Sequence, residues 1–212
     1  MIAQSNGSSY EDCIMRTLRT ITERRAIKRF LDLAICLCLV PIALPICVAA
    51  MIAIRYDSAG SPLFVQRRVG RNRHVFRLLK LRTMAARSGD LPSHEIDPMQ
   101  ITRVGAFLRR SKLDELPQLL NVISGSMSLV GPRPCLPSQH VLIAERERLG
   151  LYAFAPGVTG PAQLVGIDMS DPILLARTEA DYFHVATPMR DLSLIVQTAS
   201  GGGRGDAALQ NK

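Results

Sequence analysis

The sequence predicts an α+β fold, mostly helical, with one apolar helix placed in a membrane and a small β-hairpin beside it. Three observations carry this expectation. From Leu33 to Ile54 no side chain is charged, and a straight helix of that length would reach about 33 Å, enough for a bilayer core. Two strand-like runs, Ser61 to Gln66 and His74 to Lys80, flank a Gly70-Arg71-Asn72 turn and read as a hairpin. Elsewhere apolar residues recur at helical spacing, as in Val104, Phe107 and Leu108, or Leu116, Leu119, Leu120 and Ile123.

Composition narrows the classes of function. A chain of 212 residues forms one moderate domain with a real core. Lys and Arg number 26 against 18 acids, a formal net charge of +8, which favours anionic partners: nucleic acid, anionic lipid or phosphorylated substrates. Four tyrosines, six phenylalanines and no tryptophan leave few stacking platforms, so no nucleic acid partner is expected. The cysteines at 13, 36, 38, 47 and 135 form no CxxC pair and read as small buried hydrophobes in a reduced compartment. Glu11, Asp12 and Glu23 precede the apolar stretch, which is not the layout of a cleaved signal peptide.

Taken in order, residues 1–27 form an N-terminal extension, expected to be disordered at its Gly/Ser-rich start. Tyr10 to Ile27 then carries Ile14, Leu18 and Ile21 at helical spacing among arginines. It reads equally as a basic amphipathic helix lying on a membrane or as an ordinary surface helix. Residues 28–57 hold the apolar helix. Pro41 and Pro45 fall in its middle, where each removes a backbone hydrogen bond and bends a helix. Basic residues flank both ends: Arg24, Arg25, Lys28 and Arg29 before it, Arg55, Arg67 and Arg68 after it. The positive-inside rule keeps both flanks on the cytoplasmic side. A re-entrant helix that enters, breaks at the prolines and returns to the same face satisfies both observations.

Residues 58–198 form the cytoplasmic domain and residues 199–212 a disordered tail. After the hairpin, Lys80 and Arg82 stand two residues apart and share a face if the strand continues. Ala85 to Gln100 lacks periodicity and reads as a mobile loop or lid. A helix over Thr102 to Arg110 leads to the densest chemistry in the chain, Arg109 to Pro134, reading RRSKLDELPQLLNVISGSMSLVGPRP. There the adjacent carboxylates Asp114 and Glu115 lie between Arg109 and the cationic turn Gly131-Pro132-Arg133-Pro134, an arrangement suited to a phosphate ester and a divalent metal. The same residues also fit a helix start: Ser111-Lys112-Leu113-Asp114 matches a capping box, and Pro117 is tolerated only in a first turn. Leu136 to Leu151 reads as charged scaffold. Pro156-Gly157-Val158-Thr159-Gly160-Pro161-Ala162-Gln163 is a turn-rich segment whose glycines allow close backbone approach to a ligand or serve a tight turn. Asp171 to Thr198 is a final helical region. The four histidines are scattered, and no Walker or Rossmann motif or Ser/His/Asp arrangement occurs.

LDELPQLLNV followed by GSMSLVGPRP resembles the bacterial sugar transferase family, the monotopic phosphoglycosyl transferases that begin lipid-linked glycan assembly. The similarity runs from about Lys28 to Thr198. It includes Lys28-Arg29-Phe30-Leu31-Asp32 ahead of the apolar helix, Lys80-Leu81-Arg82-Thr83-Met84, and the P-G-x-T-G-x-x-Q pattern of Pro156 to Gln163. The resemblance implies transfer of a sugar 1-phosphate from a UDP-sugar to polyprenyl phosphate, with UMP released. It makes Asp114 the covalent nucleophile and Glu115 the ligand of Mg²⁺. Lys80, Arg82, Arg109, Arg133, Pro156, Gly157, Thr159, Gly160 and Gln163 become substrate-binding residues. It also implies membrane lipid as a partner, a place on the cytoplasmic face of the bacterial inner membrane, and room for a homodimer. The chain departs from the family pattern at Leu44 before Pro45, at Gln100, at Ser126 and at Ile167. Two other functions fit the residues alone: a basic membrane-associated scaffold with Asp114 and Glu115 as a helix cap, and a carboxylate-pair glycoside hydrolase. Adjacent carboxylates rarely flank a bond from opposite sides, which disfavours the hydrolase.

Overall fold

The computed structural model describes residues 6–85 and 100–200, with side chains from Arg24 onward. Its longest element is α1, Asn6–Asp57, which is helical through both prolines. The segment expected as a separate amphipathic helix over Tyr10 to Ile27 is the first part of α1. Its apolar face, the ends of the chain and nearly all of the expected loop over Ala85 to Gln100 lie outside the described residues. Arg24–Asp57 is the one helical stretch among the described residues long and apolar enough to cross a membrane, and only 17 % of its most apolar window is buried. A core helix would be covered on most of its circumference; here Leu37, Ile42 and Leu44 are each more than 60 % exposed.

The buried side of α1 is a narrow stripe of Asp32, Cys36, Ala43, Ala50 and Ile54. Steps of four and seven keep these residues on one face, and small side chains let the helix approach the domain closely. Cys36 and Cys135 are buried as expected, whereas Cys38 is exposed. Three residues fix the start of the apolar stretch. Lys28 pairs with Asp191. Arg29 donates to the carbonyls of Val122 (2.5 Å) and Ile123 (2.8 Å). Asp32 accepts from the Ser128 hydroxyl (2.7 Å) and the Leu129 amide (3.2 Å). A buried carboxylate and two cations so paired lock the orientation of α1, because any rotation would strand charges away from water.

The hairpin forms close to its expected place: β1, Leu63–Val69, pairs antiparallel with β2, Val75–Leu81, in the register Gln66 to Leu78. Positive φ at Asn72 and Arg73 closes its turn. Then follow α2, Arg103–Arg110, α3, Gln118–Ile123, and α4, His140–Arg148, with a short 3₁₀ turn over Leu113–Glu115 between α2 and α3. A second pair is parallel and was not legible in the sequence: β3, Ser128–Val130, beside β4, Gly157–Thr159. The chain ends in α5, Pro161–Leu164, α6, Pro172–Phe183, and α7, Pro188–Ala199. The single helical region expected over Asp171 to Thr198 is therefore two helices, separated where Thr187 caps α7 by accepting from the Arg190 amide.

The core has three parts. The largest joins α4, α6 and α7 through Leu142, Leu175, Phe183 and Leu194, with Val69, Val130 and Leu151. The second sets Cys36 and Ala43 of α1 against Leu78, Leu119, Val122, Met127 and Leu129. The third sets Ala50 and Ile54 against Leu81 and Leu108. The last two place α1 under β2, α2 and α3, the elements that surround the acidic pair.

Candidate active site

The local fold around Asp114 overturns the capping-box expectation. Ser111 does not start a helix; it ends α2, and its hydroxyl donates back to the carbonyls of Phe107 (2.8 Å) and Leu108 (3.2 Å). Lys112 then takes a left-handed conformation with φ of 56°, which turns the chain sharply. The next three residues form the 3₁₀ turn, where adjacent side chains diverge by about 120°. Asp114 is buried and Glu115 half-buried. Pro117 precedes α3, as its missing N–H allows. The acidic pair thus sits on a tight connection between two helices.

Asn121 ties this connection to the hairpin. Its side chain accepts from the Leu79 amide (3.0 Å) and donates to the Arg77 carbonyl (2.8 Å), satisfying the free edge of β2 as a neighbouring strand would. The register so fixed delivers Lys80, whose ammonium lies 2.8 Å from the Glu115 carboxylate. Burial would raise the Glu115 carboxyl, but Lys80 in contact, with Arg133 and Lys112 nearby, holds it below the ordinary carboxylate value. Ser126, a departure from the family pattern, serves the same frame: its hydroxyl donates to the Asn121 carbonyl at 3.0 Å.

Asp114 and Glu115 line a cavity of about 410 Å³. Lys80, Arg109, Arg133, Gly157, Thr159 and Gln163, all expected site residues, line it with them. Arg109 is held by its Nε donating to the Thr83 hydroxyl at 2.8 Å. Gly105 makes that possible, since a Cβ there would stand 2.0 Å from the Thr83 carbonyl oxygen. Three expected residues are outside the lining. Arg82 turns instead to the end of α1, donating to the carbonyls of Ser58 (2.7 Å) and Ala59 (2.8 Å). The Pro156 carbonyl accepts from the Ser128 amide at 2.9 Å, and Gly160 precedes α5. The glycines also have a different reason from ligand approach. A Cβ on Gly157 would lie 2.0 Å from the Gly131 nitrogen, and one on Gly131 would lie 2.2 Å from the Ala155 carbonyl, so both serve the crossing of β3 and β4.

Sequence reasoning missed Arg68, Lys112, Gln118 and Asp168, which also line the cavity. Arg68 is buried and held by Gln66 and by the Pro134 carbonyl at 3.1 Å; its alternation with Gln66 on β1 was the available signal. Arg133 is positioned through its backbone, whose amide donates to Glu179 at 2.9 Å. Glu179 is 1 % exposed and receives two further bonds from Arg146, 2.8 and 2.7 Å. Burial pushes the Glu179 carboxyl up, with the Arg146 guanidinium opposing. The scaffold helices α4 and α6 thereby hold the Gly-Pro-Arg-Pro turn.

The lining is also apolar in part: Leu39, Ile42 and Ile46 of α1 line the cavity together with Leu116 and Leu119. Cations, carboxylates and apolar side chains of the membrane-competent helix thus share one cavity. Among the described residues no three His, Cys, Asp or Glu side chains cluster as a metal cage. Mg²⁺, however, is commonly held by one or two carboxylates and completed by substrate phosphates, and the adjacent pair fits that donor set.

The profile described as "Bacterial sugar transferase" matches residues 23–203, and the chain belongs to that family. Among its relatives is the UDP-glucose:undecaprenyl-phosphate glucose-1-phosphate transferase of Caulobacter vibrioides, 37 % identical over 180 residues, covering 81 % of this chain and 67 % of the relative. The undecaprenyl-phosphate glucose phosphotransferase of Komagataeibacter xylinus is 37 % identical over 163 residues, covering 69 % of this chain and 30 % of that one. The UDP-galactose-lipid carrier transferase of Erwinia amylovora is 36 % identical over 182 residues, covering 74 % and 37 %. The chain thus spans from about a third to two thirds of these relatives' lengths.

Proposed function

We propose that this protein transfers a sugar 1-phosphate from a UDP-sugar to polyprenyl phosphate, working from the cytoplasmic face of a bacterial inner membrane. The observation that carries this reading is the cavity itself, in which the adjacent carboxylates Asp114 and Glu115 and several cations share one space with apolar side chains of α1. A nucleotide sugar is anionic and water-soluble, whereas a polyprenyl phosphate is anionic at one end and apolar along the rest. Only a site open to both solvents serves the pair. The relatives' names support the substrate classes; glucose and galactose both occur among them, so the sugar is left open.

In this reading an Asp114 oxygen attacks the sugar-bearing phosphorus, forming an O–P bond as the bond to the bridging oxygen breaks. UMP leaves with that oxygen. An oxygen of polyprenyl phosphate then attacks the same phosphorus, and the bond to Asp114 breaks, restoring the carboxylate. Arg109, Arg133 and Lys80 bind the diphosphate and lessen the repulsion between anionic nucleophile and anionic substrate. Glu115 would hold Mg²⁺, which when bound would supply Lewis-acid charge to the diphosphate. The apolar side chains of α1 receive the first units of the lipid chain. α1 serves in this reading as a re-entrant helix with both flanks cytoplasmic; it stays helical at Pro41 and Pro45, so the return to the same face is a bend at the missing backbone bonds and not a break in the helix.

The test is UMP release. Membranes containing the protein, given Mg²⁺, polyprenyl phosphate and a panel of UDP-sugars, should release UMP from at least one donor. No release from any donor by a folded preparation would contradict the reading.

A further inference from the structure

The Lys80–Glu115 pair poses a conflict, because the carboxylate assigned to Mg²⁺ already has a cation on it at 2.8 Å. Two other cations of the cavity have further partners in the frame: Arg109 donates to Thr83, and Arg68 to Gln66 and Pro134. For Lys80, Glu115 is the hydrogen-bond partner. Its backbone is fixed, since Asn121 pins the adjoining Leu79, but its charge rides on a flexible four-carbon stem. A divalent ion on the second Glu115 oxygen would stand close to that ammonium, in a half-buried setting where like charges repel strongly. The described residues provide no third acid in a metal cluster to compensate.

We propose that the Lys80 ammonium and the divalent cation are alternative partners of the Glu115 carboxylate, so that Lys80 guards the metal position until a donor diphosphate draws it away. The proposal rests on the reading that Glu115 holds the ion. It makes metal and donor bind together: released from Glu115, Lys80 turns to the diphosphate, and the same diphosphate completes the metal's ligands. Lys80 is then a switch between two anions, and without donor the site stays in its ion-paired form.

The experiment measures Mn²⁺ binding without donor, by loss of the free-ion electron paramagnetic resonance signal, in the full chain in nanodiscs. Lys80→Met keeps the stem and removes the charge; it should tighten Mn²⁺ binding about tenfold or bring it into range. Lys80→Arg should leave it near wild type. Lys112→Met is the control for general field: it removes another charge that acts on Glu115, and it should give a smaller gain. Unchanged or weaker binding in Lys80→Met, or an equal gain in Lys112→Met, would overturn the proposal. Glu115→Gln separates the two ideas. If it weakens Mn²⁺ binding while Lys80→Met gains nothing, competition fails and the metal assignment stands. If it leaves Mn²⁺ binding unaltered, the metal assignment fails and the proposal with it.

Discussion

Glu115 is half-buried among cations that keep it ionised, and this has a consequence in pH. Its carboxyl is held below the ordinary value of about 4.3, so the stabilisation from its contacts is fully present above that value and is lost as pH falls through the lowered one. Thermal unfolding of wild type and Glu115→Gln should therefore differ most above about pH 4.3, the gap closing as the medium becomes more acid. A gap that widened in acid would contradict the assignment. Arg82 makes the opposite case, a residue whose pattern pointed to the cavity and whose side chain went elsewhere. Alternation placed it with Lys80, but β2 ends at Leu81 and the guanidinium reaches the turn after α1. Arg82→Ala should lower stability by about 2–3 kcal/mol through lost charge-assisted bonds, leaving the KM for donor unchanged in the folded fraction. Arg133→Ala should do the reverse, cutting turnover at least tenfold with little change in melting temperature. The carboxylates and Arg109 could be read from the sequence because their chemistry is carried by residue type. The direction of Arg82 could not, because it depends on where a strand stops.

Among the elements, the hairpin and the apolar helix were legible because period and turn chemistry are local. The β3–β4 pair was not, since its three-residue strands lie far apart in sequence and carry no alternation. Its mark was the glycines of Pro156 to Gln163, expected to let a ligand approach or to serve a tight turn; at Gly157 and Gly160 a Cβ would also meet the Gly131 backbone within 3 Å. Gly157→Ala should cost about 3 kcal/mol or more, because backbone rather than a side chain would have to move; near-wild-type melting would refute this. The Arg146–Glu179 pair joins α4 and α6 to the Arg133 turn. Glu179→Gln leaves a buried guanidinium with a neutral partner and should destabilise by about 3–5 kcal/mol, read as a shift in unfolding midpoint.

At the scale of the whole molecule, α1 is both the membrane-competent helix and part of the cavity lining. Its buried stripe of small residues packs under the acidic connection, while its other faces leave Leu37, Ile42 and Leu44 uncovered. The length and apolarity of this helix were plain in the sequence. That Lys28, Arg29 and Asp32 would bind residues some 90 to 160 positions away was not, because ion pairs across a fold leave no local pattern. If the helix is re-entrant, single cysteines at the two termini should both be labelled from the cytoplasmic side; labels on opposite sides would mean a span. In the proposed reaction one carboxylate carries the sugar phosphate between a soluble donor and a lipid acceptor. The direct measurement is the intact mass of the purified protein after incubation with UDP-sugar and Mg²⁺ in the absence of polyprenyl phosphate. The account predicts an adduct of one sugar phosphate, absent in Asp114→Asn and discharged when the lipid is added. A wild-type protein that turns over yet carries no adduct, or an Asp114→Asn protein that carries it equally, would contradict it.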